Sequence, residues 1–219
     1  VSGVDEDEEF ELEKHLDRLW EKARIAYNEE RYALVIELLT PYLRHRPDRS
    51  FGWLKLGKSL DGIGLFFEAE QALLRADGVE NAHRPYTLTA LGNLYEDQGQ
   101  YELAESFYAQ AVEHPKAEQM GWIWIMRGSN FARWNHLADA EKCHRKALEL
   151  SDCDHDEAWL NIGLVLRAQG KYDEAIDAFN RALEICPDYE EAKERLESLR
   201  GIKGALTLAR QTPPVVDGQ

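Results

Sequence analysis

Apolar and polar positions follow a helical period along this chain, and the helical stretches recur. The stretch from Trp159 to Pro187, WLNIGLVLRAQGKYDEAIDAFNRALEICP, serves as the template. Four glycines share its phase: Gly57, Gly92, Gly128 and Gly163. With that glycine counted as position 8, units start at residues 50, 85, 121 and 156. A unit without the glycine starts at 16, with Ala23 in its place, and a last helical stretch starts at 190. Position 20 reads Val35, Ala69, Ala104, Ala140, Ala175, and position 27 reads Tyr42, Ala76, Ala111, Ala147, Ala182. Position 24 reads Leu39, Leu73, Tyr108, His144, Phe179. A glycine inside a helix costs about 1 kcal/mol against alanine, so four in phase imply a packing need. Small residues at 8, 20 and 27 let two helices approach, and large ones at 4, 11 and 24 fill the space around them. On this reading Gly163 faces Ala175 or Ala182.

Each unit divides near position 15, where Gly, Asn or Gln residues and an aromatic at 17 (Tyr32, Phe66, Tyr101, Tyr172) mark a turn. The expectation is five helical hairpins over 16–49, 50–84, 85–120, 121–155 and 156–189. One hairpin cannot bury its apolar face alone, so the units must stack. Residues 190–210 carry Ala192, Leu196 and Leu199 at helical spacing and read as a capping helix. Residues 1–15 read as an acidic head, solvated at first and then entering the first helix. Residues 211–219 read as a disordered tail broken by Pro213 and Pro214.

The pattern resembles the tetratricopeptide repeat, W-x2-L-G-x2-Y followed by A-x3-F, A and P, from residue 16 to about 189. It departs in unit 1, which lacks the glycine, and in unit 4, where Arg127 and His144 replace apolar residues. The resemblance implies an all-α, right-handed α-solenoid of five hairpins plus a C-terminal capping helix. It also implies a concave groove lined by the first helix of each hairpin.

Charge narrows the function. Lys and Arg number 26 against 41 Asp and Glu, a formal net charge of −15. A chain this acidic lacks the basic surface that nucleic-acid binding needs. No apolar run approaches the length of a membrane span. The first thirteen residues hold seven carboxylates and no base, so they are not a signal peptide. Three cysteines, an odd number, point to a reducing compartment, and the expected location is cytoplasmic. Val1 in place of Met suggests a processed chain or a fragment of a longer one.

No nucleophile, phosphate-loop, dinucleotide or zinc-protease motif stands out, so the expectation is no enzyme and no cofactor. Cys143, His144, Cys153 and His155 lie within thirteen residues, but their spacing is irregular and His144 falls on a core position, so no metal is expected. The remaining candidate is the other face of the first helix, at positions 2, 5, 6, 9, 12 and 13. It carries five cations and six carboxylates over thirty positions, nearly neutral beside the whole chain. The groove candidates are Arg24, Phe51, Lys55, Lys58, Tyr86, Asn93, Trp122, Met126, Arg133, Asn161 and Arg167. Phe51, Tyr86 and Trp122 share position 2, and aromatic and Met side chains are frequent interface anchors. The cations could meet carboxylates on a partner, though exposed charges are often merely solvated. The family's clamp for a heat-shock chaperone's C-terminal carboxylate is not expected, since only Asn93 fits among Thr89, Asn93, Met126, Glu157 and Asn161. The function expected is an adaptor or scaffold holding a partner peptide or helix. The alternatives are a homo-oligomer, through the groove or the Ile63–Phe67 stretch, and the interaction arm of a larger enzyme.

Overall fold

The computed structural model describes residues 6–79 and 83–211, and its described residues form helices without a strand. In chain order these are α1 (Glu6–Asn28), α2 (Tyr32–His45), α3 (Ser50–Asp61), α4 (Phe66–Gly78), α5 (Arg84–Asp97), α6 (Tyr101–Glu113), α7 (Gly121–Arg133), α8 (Leu137–Ala147), α9 (His155–Ala168), α10 (Tyr172–Ile185) and α11 (Glu190–Gln211). A 3₁₀ turn at Pro115–Ala117 separates α6 from α7. The chain is all-α, five hairpins and a capping helix. It divides into two compact units, Val1–Lys116 with three hairpins and Ala117–Gln219 with two hairpins and the cap. The first helix starts at Glu6, so most of the acidic head is helical, and residues 1–5 and 212–219 lie outside the described residues.

Every hairpin turns the same way. Position 15 has positive φ in all five: Glu30 at 55°, Gly64 at 78°, Gly99 at 71°, Asn135 at 63° and Gly170 at 77°. The next N–H donates back to the carbonyl of position 11, at 2.8–2.9 Å, in Arg31→Ala26, Leu65→Leu60, Gln100→Tyr95, His136→Phe131 and Lys171→Leu166. This six-residue closure is the Schellman ending, which satisfies a helix's last carbonyls through one left-handed residue. Glycine takes that conformation without cost and asparagine with little, whereas Glu30 carries a Cβ penalty.

The glycine at position 8 has a different neighbour from the one expected. A Cβ on Gly163 would stand 2.5 Å from the Phe179 ring, not against Ala175 or Ala182. Gly57 meets Leu73 at 2.6 Å, Gly92 meets Tyr108 at 2.7 Å and Gly128 meets His144 at 2.5 Å. The reason is size. Position 24 carries the one large side chain on that face of the second helix, and its ring or branch needs bare backbone to lie on. The alanines at 20 and 27 are fully buried on either side, where they let the helices close in. In the first hairpin Ala23 and Leu39 fill the two places, both fully buried, and α1 and α2 are held less closely than the glycine pairs.

Position 5 also departs from expectation. Leu54, Thr89, Ile125 and Leu160 are buried, so this position belongs to the packing between hairpins and not to an open face. In the second unit, α11 lays Ala192, Leu196 and Leu199 on the cluster formed by Leu160, Ile162, Leu166, Ala178, Phe179 and Ala182. Lys203 reaches back to Asp173. Leu199→Ala should therefore cost about 2–5 kcal/mol. Hydrogen exchange should show protection lost first in α10 and α11. A melting curve and exchange pattern equal to wild type would mean that α11 does not act as a cap.

Candidate ligand-binding face

The exposed face of the first helices is best formed in the first unit. Trp20 stacks on Tyr42 with ring centroids 5.5 Å apart and lies 6.2 Å from Phe51. Phe51 sits 4.8 Å from His83, which sits 6.3 Å from Tyr86. Phe51 and Tyr86 remain 37% and 39% exposed, so the row is anchored at one end and open at the other. His83 stands in the connection before α5, at the end of the second unit and past the helical positions compared across units, which is why the repeat frame did not single it out.

Cations border this row. Arg24 is exposed and paired with Glu21 at 3.0 Å. Lys58 is exposed, and its charge acts on Asp61. Lys55 differs from the solvated charge expected: it is buried, its ammonium 3.8 Å from the Tyr27 ring centre and 4.9 Å from that of Phe51. Burial and the nearby Lys58 and Arg24 charges hold its pKa below the ordinary lysine value. Further along the face the charge reverses. Burial and the Asp97 charge push the Asp61 carboxyl up. Asn93 Oδ1 and Glu96 Oε2 both lie 2.7 Å from the Tyr108 hydroxyl, so Asn93 faces its own hairpin. Tyr95 donates to Glu70, and burial with that contact pushes its phenol up to about 12.

The second unit presents a different set. Trp122 is half-buried, and its backbone N–H donates to the Asp152 carbonyl at 3.1 Å, tying the start of α7 to the loop before α9. Met126 and Trp124 pack against Ile125, Ala147 and Ala158. Asn161 and Arg167 are half-buried and Arg133 is exposed. Burial, with Asp154 and Asp156 nearby, pushes the Glu157 carboxyl up. Of the eleven candidates, Phe51, Lys55 and Tyr86 belong to one aromatic row. Arg24 and Lys58 border it, and Asn93 is engaged internally.

Comparison with known proteins places these hairpins. Family models described as tetratricopeptide repeat match residues 87–119 and 156–189. The chain carries tetratricopeptide repeats. Human "Protein O-mannosyl-transferase TMTC2" is 31% identical over 131 residues, which is 55% of this chain and 16% of that protein. This chain thus spans under a fifth of that relative's length. The Cut9–Hcn1 APC/C structure aligns over 81% of this chain and 35% of its own, with TM-score 0.68 and 19% identity. The first TPR of Spaghetti (RPAP3), bound to an HSP90 peptide, aligns over 57% of this chain and 96% of its own, with TM-score 0.51 and 24% identity. At these identities the two structures establish the fold.

Within the tetratricopeptide repeat frame the Cys–His group resolves into separate places. Cys143 is buried, and His155 Nδ1 lies 2.8 Å from the Cys153 carbonyl oxygen. Burial and the acids at 152, 154, 156 and 157 push the Cys153 thiol up to about 11, which opposes the thiolate a metal would need. Among the described residues no group of three or more His, Cys, Asp or Glu converges on a metal position.

His144 lies on Gly128 and is 1% exposed, with its Nδ1 lacking a hydrogen-bond partner. Burial pulls its pKa down to about 4 from 6.5. A depressed histidine pKa means the unfolded chain binds the proton first. The stability of the neutral ring is therefore complete above pH 6.5 and is lost as pH falls through 4. The loss amounts to about 3 kcal/mol. His144→Phe, the residue at this position in the fifth hairpin, should remove that slope. Denaturant unfolding at pH 7 and pH 4 should show wild type losing about 3 kcal/mol more than the variant. Equal losses would contradict it.

Proposed function

We propose that this protein is an adaptor that holds a segment of a partner protein on the helix faces described above, most firmly in its first unit. The observation that carries the reading is the aromatic row Phe51–His83–Tyr86, with Phe51 and Tyr86 exposed, bordered by Lys55, Lys58 and Arg24. Exposed aromatic rings in a fixed row offer large contact area at little entropic cost, while cations steer approach and set register. The fold supports protein binding in general. The peptide seen on the Spaghetti repeat belongs to that protein, and Thr89, Met126 and Glu157 here do not supply a carboxylate clamp. In the second unit, taken by itself, Trp122 and Met126 offer half-buried apolar surface. The proposed setting is cytoplasmic; among the described residues no helix is long and apolar enough to cross a membrane.

A second reading, self-assembly, is favoured by Ile63, Leu65, Phe66 and Phe67, which are all exposed, Phe67 at 70%. The mass in dilute solution separates the two, since assembly through this turn requires a stable oligomer. The matched stretch of the mannosyl-transferase favours a third, the interaction arm of a larger enzyme.

The adaptor reading is tested by selecting a binding peptide from a displayed library and measuring affinity and melting on the same samples. Phe51→Ala should weaken binding by about 2 kcal/mol, more than it lowers folding stability. Trp122→Ala should lower both, because its indole is half-buried. Lys58→Glu and Arg133→Glu should act weakly and fade with salt. Undiminished affinity in Phe51→Ala would remove the aromatic row from the binding surface.

A further inference from the structure

Lys55 is unusual in its surroundings. It is 8% exposed, yet among the described residues no carboxylate pairs with its ammonium, and the charges acting on it are the cations Lys58 and Arg24. Arg24 already has Glu21, and Asp61 tempers only Lys58. A buried charge without a counter-charge is costly, and removing one partner of a buried pair is more damaging than never having made the pair. The two rings beneath Lys55 offset part of that cost through cation–π attraction. In a chain with 41 carboxylates, leaving this ammonium without one is a notable placement.

We infer that Lys55 is the receptor for an internal Asp or Glu side chain of an extended partner segment. The partner's neighbouring aromatic or aliphatic side chain lies on the Phe51–His83–Tyr86 row. The inference rests on the adaptor reading and names the partner's chemistry: an acidic residue beside an apolar one. Charge complementarity selects it. The local cation excess repels basic segments, and the partly desolvated ammonium gains from an anion that brings its own apolar flank to exclude water. A terminal carboxylate is a different occupant, and the test separates it.

The probe is a dye-labelled, C-amidated peptide, Ser-Gly-Phe-Glu-Leu-Gly-Ser, measured by anisotropy on the full chain. Two companions carry Gln in place of Glu, one amidated and one with a free C-terminal carboxylate. Wild type should bind the Glu peptide at least about tenfold more tightly than the amidated Gln peptide. Lys55→Met, which keeps length and apolar packing, should erase that preference while melting at or above the wild-type temperature. A merely structural lysine predicts the reverse, a lower melting point and no change in discrimination. The inference is overturned by equal binding of the amidated peptides, or by discrimination that survives Lys55→Met. It is also overturned if the free-carboxylate Gln peptide matches the Glu peptide, or if no peptide binds at about 1 mM. If both amidated peptides bind equally and Phe51→Ala weakens both, the adaptor reading stands while the role of Lys55 falls. A salt-sensitive oligomer abolished by Lys55→Met would give the site to a second copy and overturn the partner assigned here.

Discussion

The fold depends on one repeated contact, a large side chain of the second helix lying on the bare backbone of the first. Gly57, Gly92, Gly128 and Gly163 receive Leu73, Tyr108, His144 and Phe179 at distances where no Cβ fits. The contact sets both the separation of the two helices and the rotation of the first about its axis. Helix propensity disfavours these glycines by about 1 kcal/mol each, so the packing they permit outweighs that cost. The first hairpin shows the alternative: with Ala23 opposite Leu39 the chain still folds, but with a looser pair of helices. His144 shows the limit, since burial there favours the neutral imidazole over the charged one.

Rotation is what connects this contact to function. Once position 8 is turned inward, positions 2, 6, 9 and 13 are turned away from the second helix, and at position 6 Lys55 and Ala90 are buried by neighbouring side chains. That is why Phe51 and Tyr86 are exposed, why Arg24 and Lys58 reach water, and why Lys55 lies across its neighbours' rings. The binding face is a consequence of the core. A change at position 8 or 24 should be felt at the aromatic row of the same hairpin before any groove residue is altered.

The repeat register was legible because it rests on periodicity and on a backbone conformation that few residues adopt. The phase of the glycines marked four hairpins and Ala23 extended it to the first, and the Gly and Asn residues at position 15 of those four marked turns whose left-handed φ the structure displays. Distances across a hairpin were less legible. The small residues at 20 and 27 suggested partners for Gly163, but small residues permit approach and the large residue between them makes the contact. Position 5 read as open face because a helical wheel treats one hairpin alone, whereas Leu54, Thr89, Ile125 and Leu160 are buried, Ile125 with Ala158 of the next hairpin and Leu160 with the cap. The same blindness made Lys55 look solvated: its burial comes from Tyr27 of one hairpin and Phe51 of the next. His83 closes the second unit, past the helical positions compared across units.

The central claim is that contact between positions 8 and 24, and not helix propensity, governs these hairpins. The most direct measurement is a double-mutant cycle of Gly163→Ala and Phe179→Leu by denaturant unfolding. Propensity alone makes Gly163→Ala stabilising by about 1 kcal/mol. The packing account makes it destabilising by about 1–3 kcal/mol, because the Phe179 ring must move. It further predicts that the double variant loses at least about 0.5 kcal/mol less than the sum of the single losses, since Leu relieves part of the clash. A stabilised Gly163→Ala, or losses that add to within about 0.3 kcal/mol, would contradict the account.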